Sequence, residues 1–163
     1  MDNFEEPLDE SMLIATFHLG GALFGIDARQ VQEVVKLGDL TCVHHSPSYV
    51  LGIRNLRGKI VTVIDLSECL ELGASSITPD TRILIFEWLN EPIGLLVDSL
   101  SDTIAITPDK IEAAPPSLHG IQGKNVLGVC RSANRLVALL NPDTILQTEN
   151  DTANPSLMKA QSV

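Results

Sequence analysis

Three basic side chains, Arg54, Arg57 and Lys59, fall within six positions of a chain that has only eleven Lys and Arg residues. They belong to the stretch Gly52-Ile53-Arg54-Asn55-Leu56-Arg57-Gly58-Lys59-Ile60-Val61-Thr62-Val63-Ile64-Asp65-Leu66. Asn55 to Gly58 reads as a tight turn, because glycine accepts a positive φ at no steric cost and asparagine favours turns. A guanidinium displayed there offers five donors in a fixed fork, which suits a carboxylate. The chemistry expected of this stretch is recognition of an acidic group. A solvated turn with ordinary surface charge fits the same residues, since exposed arginine is common.

Groups that make or break bonds are harder to assemble. Asp65 and Asp98 end two aliphatic runs in parallel fashion, Val63-Ile64-Asp65-Leu66 and Leu96-Val97-Asp98-Ser99. A catalytic pair would need a shared cleft and raised pKa values. A carboxylate at a strand end more often accepts backbone N–H bonds or pairs with an arginine, and that structural role is expected here. An enzyme using Asp65, Asp98 and a histidine is the alternative from a different class. His18, His44, His45 and His119 sit near no sequence-local nucleophile. Adjacent histidines such as His44 and His45 point apart in most backbones and rarely chelate one metal. Gly20, Gly21 and Gly25 lack the order of a phosphate cradle and read as turn residues. Cys42, Cys69 and Cys130 are odd in number and share no CxxC spacing, so buried, reduced thiols are expected. Neither a metal nor a cofactor is expected.

The formal charge of −10 argues against general nucleic-acid binding and against an anionic membrane surface, both of which need clustered Lys and Arg. Partners with basic or apolar faces remain. Hydrophobic residues make up 44% and aromatics only 4%, which predicts a globular fold with an aliphatic core. No apolar run approaches the roughly 20 residues that span a bilayer. The acidic amino terminus lacks the pattern of a secretory signal, so a cytoplasmic location is expected.

The elements around the Arg57 turn read as short strands. Residues 1–11 form an acidic segment expected to be disordered. Met12 to Phe17 is a first strand, Gly20-Gly21 a hairpin turn, and Leu23 to Ile26 the return. Asp27 is placed to cap a helix from Ala28 to Val35, with Val31, Val34 and Val35 on one face and an Arg29–Glu33 pair four residues apart. Leu40 to Val43 is a short strand, and Ser46-Pro47 starts a helical turn. After the organising stretch, Glu68 to Ser76 reads as a polar loop. Thr81 to Trp88, Ile93 to Val97, Thr103 to Ile106, Val126 to Cys130 and Leu136 to Leu140 read as strands. Thr107-Pro108-Asp109 and Asn141-Pro142-Asp143 start helical turns, Gly120 to Lys124 is a loop, and residues 148–163 read as a flexible tail. Many short strands at regular spacing predict an all-β barrel or pair of barrels.

The combination Asn55-Leu56-Arg57-Gly58 with Val63-Ile64-Asp65-Leu66 resembles the signature of CheW-like domains. Phe24-Gly25-Ile26-Asp27, Val31-Gln32-Glu33-Val34 and Gly94-Leu95-Leu96-Val97-Asp98 are similar to further family segments, over residues 12–147. One departure is Thr62, where the family usually has proline. The resemblance implies two SH3-like five-stranded β-barrel subdomains packed on a shared aliphatic core, with a few short helices. It implies a non-catalytic adaptor coupling the cytoplasmic tips of methyl-accepting chemoreceptors to the regulatory domain of a CheA-like histidine kinase. An adaptor of a parallel chemosensory pathway, for surface motility or pili, is the alternative within the family. Arg57, Asn55, Gly58, Val31 and Glu33 match receptor-facing positions; no local motif assigns kinase-facing residues.

Overall fold

The computed structural model describes residues 11–115 and 123–152, and ten strands dominate them. These are β1 (Met12–Leu19), β2 (Ala22–Asp27), β3 (Glu33–Lys36), β4 (Val50–Leu56), β5 (Lys59–Asp65), β6 (Arg82–Trp88), β7 (Glu91–Val97), β8 (Ser99–Ile106), β9 (Val126–Ser132) and β10 (Arg135–Leu140). Two helices, α1 (Leu66–Cys69) and α2 (Pro142–Thr152), follow β5 and β10. One sheet has the order β8-β1-β2-β10-β9, the other β3-β6-β7-β5-β4.

The two sheets share one plan. Each sets two antiparallel hairpins side by side through a parallel contact, β2 with β10 and β7 with β5, and adds an outer strand. The second sheet uses five consecutive strands. The first is completed by β1 and β2 joining β8, β9 and β10, so both ends of the described chain are tied into one sheet. All four hairpin turns have two successive residues at positive φ: Gly20-Gly21, Arg57-Gly58, Leu89-Asn90 and Ala133-Asn134. That is the backbone twist that matches two antiparallel strands joined by two residues.

The expected pair of five-stranded barrels on an aliphatic core is what the chain forms. Phe17, Phe24, Leu84, Phe86, Leu95 and Leu140 belong to the cluster shared between the sheets, with the Phe17 and Phe24 rings stacked 6.4 Å apart. Each curled sheet also has its own interior: Ile14, Val137 and Leu139 in one, Val61, Val63 and Ile83 in the other. Gly25 and Gly94 hold equivalent places in β2 and β7. A Cβ on either would lie 2.5 Å from Ile14 Cγ2 or 2.6 Å from Ile83 Cγ2, so both positions demand the smallest residue.

Several local expectations are corrected. Asp27 caps only a one-turn 3-10 segment, Ala28–Gln30, and Glu33 to Lys36 is a strand rather than the end of a helix. Valines at 31, 34 and 35 fit either period, and pairing with β6 from Ile85 to Arg82 decides for the strand. Arg29 pairs with Asp27 in place of Glu33. The expected strand at 40–43 reduces to a single bridge, Thr41 with Ile53, whereas Ser46-Pro47 does lead into one hydrogen-bonded turn, the Val50 N–H donating to the Pro47 carbonyl at 3.0 Å. The expected loop after Glu68 begins inside helix α1. The chain is helical to Thr152, beyond the point where it reads as tail. Cys42 is exposed, whereas Cys69 and Cys130 are buried as expected. The acidic segment at 1–10, most of the 120–124 loop, His119 and residues 153–163 lie outside the described residues.

Candidate partner-docking cleft at the β4–β5 turn

Asn55 Oδ1 accepts the Gly58 N–H at 2.9 Å and so closes the turn from its own side chain. Arg57 sits at φ 53° and Gly58 at 87°. A left-handed arginine costs roughly 1 kcal/mol, which the hairpin twist imposes. The Arg57 side chain is 69% exposed and donates to the Glu33 carboxylate at the start of β3. β3 and β4 are the two outer strands of their sheet, so this ion pair bridges the edges that the curl brings together. Arg54 acts on the same seam, donating to the Lys36 carbonyl at 2.7 Å. Below it, Gly52 (φ 154°) lets Thr41 approach: a Cβ there would lie 2.6 Å from the Thr41 carbonyl oxygen.

Beside the ion pair opens a cleft of about 480 Å³. Leu56, Val61, Ile85 and Pro92 give it apolar walls; Glu33, Glu87 and Glu91 face Arg57 and Lys59 around it. Ile60 is 42% exposed there, unusual for an isoleucine within a strand. The cleft thus combines apolar walls with side chains of both charges.

Of the five residues matched to receptor contact, Arg57 and Glu33 meet in the cleft, while Asn55 and Gly58 build the turn that presents Arg57. Val31 lies two residues before Glu33 but is half-buried and packs on the shared core; Gln32 takes the place at the cleft. Ile60, Glu87 and Pro92 were not legible as site residues. Glu87 and Pro92 come from the β6–β7 hairpin, which turns at Leu89-Asn90 and forms the far wall.

Asp65 and Asp98 have the structural role that strand-end carboxylates predict. Asp65 is buried and caps α1: its Oδ1 accepts the Ser67 N–H at 3.1 Å and the Ser75 hydroxyl at 2.7 Å, its Oδ2 the Ser75 N–H at 2.9 Å. Asp98 Oδ2 accepts the Gly20 N–H at 2.9 Å. His18 instead faces Ser99 and Arg135. Asp27 is drawn below the ordinary carboxylate range by its side-chain hydrogen bonds from Arg29, while burial pushes the Cys130 thiol up. Among the described residues no group of three or more His, Cys, Asp or Glu is placed to hold a metal, and no helix is long and apolar enough to cross a membrane.

The CheW-like domain family matches residues 14–150, nearly the whole two-barrel unit. This chain belongs to the CheW-like family. It is 30% identical to the chemotaxis protein CheW of Bacillus subtilis, over 86% of this chain and 89% of that one. It is also 30% identical to protein FrzA of Myxococcus xanthus, over 84% and 86% of the two chains. The solved scaffolding protein TtCheW from Thermoanaerobacter tengcongensis superposes with a TM-score of 0.76 at 34% identity, covering 82% of this chain and 86% of that one. Thr62, where the resemblance implies proline, keeps the register: it is buried in β5, opposite Ile53 of β4 and Ile93 of β7.

Proposed function

We propose that this CheW-like chain is a non-catalytic chemotaxis adaptor that couples the cytoplasmic tips of methyl-accepting chemoreceptors to the regulatory domain of a CheA-like histidine kinase. It works in the cytoplasm, held at receptor arrays by protein contacts. The observation that carries this reading is the family match across both barrels, residues 14–150, taken with an arginine displayed beside an amphipathic cleft. Receptor contact is assigned to Arg57 and Glu33, with Asn55 and Gly58 shaping the turn and Val31 supporting it from the core side. The likeness to FrzA supports a second reading, an adaptor of a parallel chemosensory pathway with the same fold and contacts.

Titration calorimetry of this protein against the regulatory domain of its own genome's CheA-like kinase tests the proposal. Saturable one-to-one binding is expected. No binding to any such kinase of that genome would reduce the family relation to one of fold.

A further inference from the structure

The β9–β10 turn is the counterpart, in the first sheet, of the β4–β5 turn. Both have two successive residues at positive φ, and both carry an exposed aliphatic residue just inside the second strand: Ile60 at 42% and Leu136 at 45%. Their electrostatics differ. Arg57 is neutralised by Glu33, whereas Arg131 and Arg135 flank the second turn and neither has a carboxylate partner among the described residues. Arg135 donates to His18 Nε2 at 2.8 Å, which leaves His18 Nδ1 to face the Ser99 hydroxyl at 3.1 Å. The ring orients the guanidinium without cancelling its charge. Arg131 pairs with Leu136 across the hairpin, and with Asn134 and Arg135 they line a surface depression of about 220 Å³. On a chain of net charge −10, two guanidiniums at one turn concentrate positive charge, while the Asp98 carboxylate beside the His18–Ser99 pair is engaged by the Gly20 N–H.

We propose that this turn is a second docking surface, which takes a carboxylate-rich segment of a partner protein with its acids on Arg131 and Arg135 and an aliphatic side chain on Leu136. The balance of charge selects a segment over a polyanion. Screening confines the attraction of the turn to about 8–10 Å, and a nucleic acid or anionic bilayer extends past that distance over an acidic surface. A short peptide does not. Guanidiniums matched to carboxylates fix its orientation, and Leu136 adds apolar burial.

The test is fluorescence anisotropy of the full chain with a short fluorescein-labelled peptide of repeated Glu-Glu-Leu. A Lys-Lys-Leu peptide serves as control. Saturable binding of the acidic peptide is expected, weakening as salt is raised and weakening about tenfold in the double variant Arg131→Glu, Arg135→Glu. Arg131→Glu alone removes an exposed side chain with no structural hydrogen bond, so it is expected to weaken binding with thermal unfolding unchanged. Failure of the acidic peptide to saturate, or equal affinity for the double variant, would overturn the proposal. Loss of binding in Arg57→Ala with retention in the double variant would move the acidic site to the cleft and overturn it too. Binding that appears only after residues 2–10 are removed would make the chain's own acidic segment the occupant, against a partner protein. Kinase binding is read separately, so the adaptor reading and this one fail independently.

Discussion

The two barrels repeat their scaffold and differ at their mouths. Gly25 and Gly94 make the same close approach, and Gly52 and Gly128 each admit the backbone of the segment that closes the barrel edge, at Thr41 and at Glu112. Asp65 and Asn141 each cap the helix that follows the parallel-paired strand, accepting the N–H of Ser67 or Asp143 at 3.1 Å. At the mouths the likeness ends. In the second barrel Arg57 meets Glu33 beside an open amphipathic cleft; in the first, Arg135, His18 and Ser99 form a hydrogen-bonded string and the basic charge is left outside. Backbone devices recur because the twist, pairing and closure of a five-stranded sheet allow few solutions. The exposed side chains are free of those constraints, so that is where the two barrels differ.

The largest expected effect falls on what the barrels share. Phe86→Asp buries an unpaired carboxylate in the common cluster, a cost of several kcal/mol that should abolish cooperative thermal unfolding. A soluble variant with a sharp melt would contradict that placement. Next comes the comparison of caps. Asp65→Ala also strands the Ser75 N–H and hydroxyl, so it should cost about 2–3 kcal/mol in urea unfolding, against about 1 kcal/mol for Asn141→Ala. Equal losses would remove Ser75 from the account. Gly94→Ala and Gly25→Ala should each cost about 1–3 kcal/mol through overpacking against Ile83 and Ile14. A large inequality between them would break the equivalence of the two sheets.

The mouths themselves should respond in binding rather than in stability. Arg57→Ala is expected to weaken receptor-tip affinity by about 1–3 kcal/mol while thermal unfolding hardly moves. Unchanged affinity would remove Arg57 from the receptor contact. The smallest effect belongs to Asp27. Its carboxyl is depressed in the folded chain by Arg29, so its contribution is present above the ordinary carboxylate range and fades as pH falls through the folded value. Asp27→Asn should therefore cost less than about 1 kcal/mol at neutral pH, because Arg29 is largely exposed, and the gap to the parent should close in acid. A gap that widens on acidification would reverse the sign of the argument.

Strand-forming residues were the most legible part of the chain. β1, β2, β6 and β7 follow from β-branched and aromatic runs between turn residues, and the Arg57 turn from Asn55 and Gly58. The cleft was half legible. Arg57 announces itself by charge in a base-poor chain, but its partner does not: Glu33 lies on the opposite edge of the sheet, and nothing near either residue encodes the curl that joins them. The segment 28–35 shows the same limit. Its valines suit a helix or a strand, and the unpaired edge of β6 settles the matter from outside.

By itself the sequence determined the all-β class, the hairpin turns at Gly20-Gly21 and Arg57-Gly58, and the capping role of carboxylates at strand ends. These depend on residues within a few positions of one another, where steric preference and hydrogen bonding act locally. Only the tertiary structure decided that β2 pairs with β10, that Arg57 is held by Glu33, and that Arg131 and Arg135 meet no acid among the described residues. Those outcomes rest on which edges meet when two sheets curl around a common core. That is a property of the long-range hydrogen-bond ladder and of burial, not of any short stretch of chain.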